Sequence, residues 1–127
     1  MKNSFIVSVG SNYYASRYIP MALKRLRASF EEIISSTPKV NSAIDSPKGC
    51  PDFVNCVAEI TSQLTEEEVR LIIKEIEQTC GRRRYPKTKT KVAIDIDLLY
   101  WNDELRKPQD IHRPYVLEGM HELGRDF

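Results

Sequence analysis

The chain predicts an α+β sandwich in which an antiparallel sheet carries two helices on one face. Three observations predict it. Segments of strand length rich in β-branched residues recur along the chain, two intervening stretches place apolar residues at helical spacing, and no composition break or repeat divides the 127 residues. Their order is β-α-β-β-α-β, the ferredoxin-like arrangement, and it covers residues 1–127 as a single domain with the sheet's other face free to build a site.

Each element has its own local reason. Ser4-Phe-Ile-Val-Ser-Val-Gly10 is short and β-rich, and it stops at the turn signal Gly10-Ser11-Asn12. A first helix is expected from about Tyr18 to Ile33, with Pro20 tolerated in its first turn and Ala22, Leu26, Phe30 and Ile33 forming the apolar stripe. Ile34 to Asn41 suits a second strand. Ser42–Pro51, with two prolines and a glycine, suits a long loop. Phe53 to Thr61 reads as a third strand. The second helix carries the clearest signals: Thr65 and Glu68 make a capping box, Val69, Ile72, Ile73, Ile76 and Cys80 recur at helical spacing, and Gly81 ends it. The last core strand runs from Ile94 through Trp101, and a short apolar segment, Pro114 to Leu123, follows a polar stretch.

Composition narrows the function classes. Nineteen basic against eighteen acidic residues leave a net charge of +1, which provides no general field for nucleic acid or an anionic membrane. Cys50, Cys56 and Cys80 are odd in number and form no C-x-x-C pair, and His112 and His121 lack zinc-like spacing. No apolar run reaches the roughly 18–20 residues of a membrane span, and no signal peptide is read at the start. A reduced, cytoplasmic protein, monomeric or weakly dimeric, is the expectation.

The charge that matters is local. Within Ile94-Asp95-Ile96-Asp97-Leu98-Leu99-Tyr100 the two carboxylates lie two residues apart, so a strand sets them side by side while Ile94, Ile96 and Leu98 face the core. Adjacent anions repel, and oxygen ligands of this kind suit Mg²⁺. Immediately upstream, Arg82 to Lys91 holds six cations in ten positions with no acid among them. A metal-binding pair beside a basic loop reads as a polyphosphate site. On the third strand Phe53, Asn55 and Val57 share one face, so an amide and an aromatic ring can stand near the acidic pair, as a flat heterocycle requires.

These residues resemble the 6-hydroxymethyl-7,8-dihydropterin pyrophosphokinases of folate biosynthesis over nearly the whole chain. The matching pieces are Val9-Gly10-Ser11-Asn12, Pro51-Asp52-Phe53-Val54-Asn55, Ile76-Glu77-x-x-x-Gly81-Arg82-x-Arg84, Asp95-Ile96-Asp97-Leu98-Leu99-Tyr100 and a terminal Arg113-Pro-Tyr-Val-Leu. Each alone is weak; five in order are specific. The resemblance implies transfer of pyrophosphate from ATP to the hydroxymethyl group of the dihydropterin, releasing AMP. It assigns Asp95 and Asp97 to two Mg²⁺ ions and Arg82 and Arg84 to the ATP phosphates, and Glu77, Lys89, Lys91 and Arg113 are expected beside them on the nucleotide side. Asn55 would bond the pterin, with Phe53 and Tyr115 flanking its ring.

The chain also departs from that family. Val92 stands where the family has an arginine, leaving Lys89 or Lys91 as substitutes, and the loop tryptophan is absent. The interval from Asp97 to Arg113 is too short for the family's Pro-His segment, with His112 as a displaced equivalent, and the C-terminal region is curtailed. Two alternatives follow. One is a non-catalytic or altered-substrate relative that binds a nucleotide or pterin. The other, an RNA-binding module of the same fold, fits poorly, because aspartates on the open face repel phosphate unless a metal is bound.

Overall fold

A computed structural model describes residues 2–41, 52–80 and 92–124. The elements follow in the order β1 (Asn3–Ser11), α1 (Ala15–Ser29), β2 (Glu32–Ser35), β3 (Lys39–Asn41), β4 (Phe53–Ser62), α2 (Glu66–Thr79), β5 (Asp95–Trp101), β6 (Glu104–Leu105) and α3 (Pro114–Glu122). The strands form one six-stranded sheet in the order β2-β4-β1-β5-β6, with β3 also paired to β4. Every pairing is antiparallel. This is the expected α+β, ferredoxin-like sandwich. Among the described residues no helix is long and apolar enough to cross a membrane.

Strand alternation builds the main core. Phe5, Val7 and Val9 of β1, Cys56, Ala58 and Ile60 of β4, and Ile96 and Leu98 of β5, with Ile94 just before it, all face α1 and α2 and are buried. The helices return Ile19, Ala22, Leu23 and Leu26 from α1 and Val69, Ile73 and Ile76 from α2. Phe5 stacks on Trp101 at 5.2 Å and meets the Phe30 ring edge-on at 5.4 Å, so both aromatics belong to packing. The capping box of α2 forms as expected: the Glu68 N–H donates to Thr65 Oγ1 and the Thr65 N–H donates to Glu68 Oε1. Cys80 caps that helix, and Gly81 lies outside the described residues.

Three expectations are corrected. Helix α1 runs over Ala15–Ser29 rather than Tyr18 to Ile33, which places Pro20 inside it. The chain leaves β1 through Tyr14 in the left-handed region (φ 50°), and Tyr14 O accepts from the Arg17 and Tyr18 N–H groups, starting the helix a turn early. The helix ends early because Phe30 is extended and Ile33 pairs with Ile60 in β2. The second strand is split in two, β2 and β3. Between them the buried Ser36 hydroxyl accepts the Val57 N–H, the Ser36 N–H donates to Val57 O, and Pro38 supplies no donor to a ladder.

The third correction concerns the open face. Helix α3 packs there, and Val116 and Met120 bury Ile6, Val57, Leu99 and Tyr100 in a second cluster. Gly119 permits the approach: a Cβ at that position would overlap the Val57 side chain. Half of the supposedly free face is therefore covered, which confines any site to the other half.

Candidate functional site

The uncovered half of that face is set by the ladder register of three strands. Central β1 pairs Gly10 with Asn55 of β4 on one side and with Asp95 of β5 on the other. The next row pairs Ser8 with Val57 and with Asp97. Residues two apart share a face, so Asn55, Gly10 and Asp95 form one row and Val57, Ser8 and Asp97 the next. A register shift between Ile6 and Val7 then breaks the alternation on β5, so that Leu99 and Tyr100 both enter the cluster under α3. The bulge marks the border between the polar and apolar halves of the face.

Gly10 is the floor between the two functional groups. A Cβ there would overlap Asn55 Oδ1 and lie 3.7 Å from the Phe53 ring, so the amide and the ring both lean across the bare backbone. Asn55 is buried and Phe53 half-buried. The amide thus lies in the row of Asp95, joined to it through one glycine.

Asp95 and Asp97 are half-buried on β5, as the two-residue period requires. Burial raises the Asp97 carboxyl above its ordinary value, the neighbouring Asp95 raises it further, and Lys107 works in the opposite direction. Lys107 Nζ donates to Asp97 Oδ1 at 2.8 Å and lies 3.8 Å from Asp110 Oδ2. The Arg113 Nε donates to Asp110 Oδ1 at 2.9 Å. A chain of alternating charge therefore runs from the aspartate pair through Lys107 and Asp110 to Arg113.

Glu77 reaches the same strand from the helix side. The Ile96 N–H, on the stretch of β5 that β6 does not cover, donates to Glu77 Oε2 at 2.8 Å. An orphan edge donor between the two aspartates is satisfied in this way, which holds their backbone in place. Tyr115, at the start of α3, is half-buried beside Ser8, Asp97, Asp110 and Arg113. Burial first, then the Asp110 charge, pushes its phenol up to about 12. His112 is exposed.

Asn12 fastens the upstream end of β5. Its N–H donates to Val92 O at 3.0 Å, and its Oδ1 accepts the Val92 N–H at 2.6 Å. The asparagine of Gly10-Ser11-Asn12 is thus a clasp on the segment that leads into the aspartates. Tyr13 and Tyr14 form an exposed edge-on pair beside it, with centroids 4.6 Å apart.

Of the residues expected at the site, the fold gathers Phe53, Asn55, Asp95, Asp97, Arg113 and Tyr115 around one half-face, with Glu77 behind β5. Arg82, Arg84, Lys89 and Lys91 lie outside the described residues, as does the Ser42–Pro51 loop. Lys107 and Asp110 were missed by sequence reasoning. The i, i+3 spacing of Lys107, Asp110 and Arg113 was the signal that could have found them.

The donor set suits a hard dication. Among the described residues no three His, Cys, Asp or Glu side chains gather to hold a metal, and Asp95 and Asp97 offer two carboxylates side by side. Mg²⁺ commonly takes one or two carboxylates and fills its other positions with water and substrate phosphates.

A family model described as 7,8-dihydro-6-hydroxymethylpterin-pyrophosphokinase (HPPK) matches residues 6–125. No curated protein matches the chain.

Proposed function

The chain belongs to the 7,8-dihydro-6-hydroxymethylpterin-pyrophosphokinase family, and from that premise we propose that it transfers pyrophosphate from ATP to 6-hydroxymethyl-7,8-dihydropterin, releasing AMP. One observation carries the reading: the Asn55 amide lies across Gly10 from Asp95 in the same ladder row, and the Phe53 ring leans over the same glycine. A group that reads a heterocycle and a group that anchors a metal–polyphosphate are thereby set side by side on rigid strands.

In this reading Asn55 pairs with the polar edge of the pterin, while Phe53 and Tyr115 flank its ring. The high proton affinity of the Tyr115 phenol keeps it a neutral hydrogen-bond donor. Asp95 and Asp97 would hold Mg²⁺, two ions by the family's pattern. The metal, when bound, neutralises phosphate charge that the aspartates alone would repel. Arg113 stands at the nucleotide side on Asp110, and Arg82, Arg84, Lys89 and Lys91 provide further phosphate contacts, the arginines as bidentate forks. Glu77 belongs to positioning, through its bond to the Ile96 N–H.

Little covalent chemistry is asked of the protein. The hydroxymethyl oxygen attacks the β-phosphorus of ATP, its proton leaves, and the bond to the α-phosphate oxygen breaks to free AMP. Such an in-line transfer is accelerated by alignment and by fixed charge. A cytoplasmic location, where ATP and pterin precursors meet, belongs to the same reading.

A second reading, a relative that binds nucleotide or pterin without turnover, is favoured by Val92. Its backbone is clasped by Asn12, three residues before Asp95, and its side chain supplies no guanidinium there. AMP release from Mg²⁺ and ATP, with and without 6-hydroxymethyl-7,8-dihydropterin, separates the two, with Asp97→Ala as blank. Pterin-dependent AMP above the blank is the expected result. Ligand binding by folded protein without AMP would establish the second reading instead.

A further inference from the structure

We propose that Lys107 is a built-in counter-ion of the aspartate pair, displaced by a divalent cation only when nucleotide phosphates arrive to take its ammonium. The inference rests on the metal site proposed above and deepens it. The ammonium lies 2.8 Å from Oδ1 of the half-buried Asp97 and 3.8 Å from Asp110 Oδ2. It therefore already occupies an oxygen that a metal would use.

Charge explains why the exchange needs a nucleotide. In the ion pairs among the described residues, Lys107 and Arg113 are the cations set against Asp97 and Asp110, with Asp95 beside Asp97 on the strand. A free dication has to expel Lys107 from Asp97 and leaves that ammonium with Asp110 alone, which Arg113 already engages. A metal–nucleotide complex brings its own anions, so the displaced ammonium moves from carboxylate to phosphate while the dication takes the carboxylate. Two equilibria become one, and metal and nucleotide each strengthen the other's binding.

Proximity makes the exchange feasible. Lys107 follows the tight β5–β6 turn, in which Asn102 and Asp103 both have positive φ, and Arg106 is fixed to Glu66 of α2 by two bonds of 3.0 Å. The stem of Lys107 thus starts from an anchored neighbour, and only its flexible side chain needs to turn. Arginine would hold Asp97 through a broader fork, whereas a lysine is a compact point charge that moves readily between anions.

Mn²⁺ titration followed by electron paramagnetic resonance, with and without a non-hydrolysable ATP analogue, tests this in the wild type, Lys107→Met, Lys107→Gln and Asp97→Ala. In the wild type the analogue should tighten Mn²⁺ binding by at least about tenfold, within the usual range of coupling between sites. In Lys107→Met and Lys107→Gln, Mn²⁺ alone should bind about tenfold more tightly than in the wild type, and the effect of the analogue should shrink accordingly. Unchanged or weaker binding of Mn²⁺ alone in both variants, with Asp97→Ala still abolishing it, overturns the counter-ion and leaves the metal site standing. Absence of any Asp97-dependent Mn²⁺ binding in all of them overturns the metal site and the counter-ion together.

Discussion

The two faces of β1 and β5 are made by the same strands and do opposite things. On the helix face, Phe5, Val7, Val9, Ile96 and Leu98 are buried under α1 and α2 and contribute stability by leaving water. On the other face Ile6 and Leu99 repeat that logic under α3, but one row further along Ser8, Gly10, Asp95 and Asp97 replace it. The polar half includes two like charges and a bare glycine, none of which adds apolar burial. Stability comes from the helix face and from the half under α3, and the remaining half can carry chemistry because it is not needed for either cluster. Proteins commonly concede stability at such sites.

That contrast can be broken most sharply at Asp97. Replacing it with alanine should abolish Mg²⁺-dependent ATP binding, read by calorimetry, while unfolding free energy changes by no more than about 1 kcal/mol. Retained Mg²⁺-dependent affinity would refute the metal assignment. One residue earlier, on the opposite face, Ile96→Ala should do the reverse. Loss of a fully packed isoleucine should cost about 2–5 kcal/mol in urea unfolding, with nucleotide affinity preserved in the remaining folded protein.

Gly10→Ala probes the floor between the halves of the site. Its new methyl overlaps Asn55 Oδ1, so the amide must shift, at a cost of about 1–3 kcal/mol. Pterin affinity should fall more than ATP affinity, since Asn55 moves and the aspartates do not. Equal losses for both ligands would place the pterin elsewhere.

The smallest effect is expected at Tyr115. A phenol raised to about 12, mainly by burial, keeps its proton in the folded chain after the unfolded chain has lost it. Its contribution is therefore fully present below about pH 10 and is lost as pH rises through about 12. Tyr115→Phe should flatten that alkaline decline in melting temperature relative to the wild type. Identical slopes in both proteins would show that Tyr115 does not cause it.

Much of this arrangement was legible in the residues themselves. Alternation placed Asp95 and Asp97 on one face and Ile94, Ile96 and Leu98 on the other, and Thr65 with Glu68 announced the start of α2. Such features depend on neighbours two to four residues apart, where the periods of strand and helix dominate. Asn55 and Phe53 were also placed on the face that carries the aspartates. Their closeness could only be conjectured, because the path from Asn55 to Asp95 crosses β1 through a glycine that offers no side chain to read.

What tertiary structure alone decided lies at longer range. Pro20 suggested a helix starting at Tyr18, yet the turn at Tyr14 set the start, and the pairing of Ile33 with Ile60 set the end. The apolar Pro114 to Leu123 segment was visible, but its landing on half of the open face depended on Gly119 clearing Val57. The pairing of Lys107 with Asp97 depended on the β5–β6 turn folding the chain back upon itself. The sequence by itself determined which residues each strand and helix shows to either side, since those are consequences of local backbone periods. Which groups then meet across the sheet was decided by register, bulge and turn, because these fix positions only after distant strands have paired.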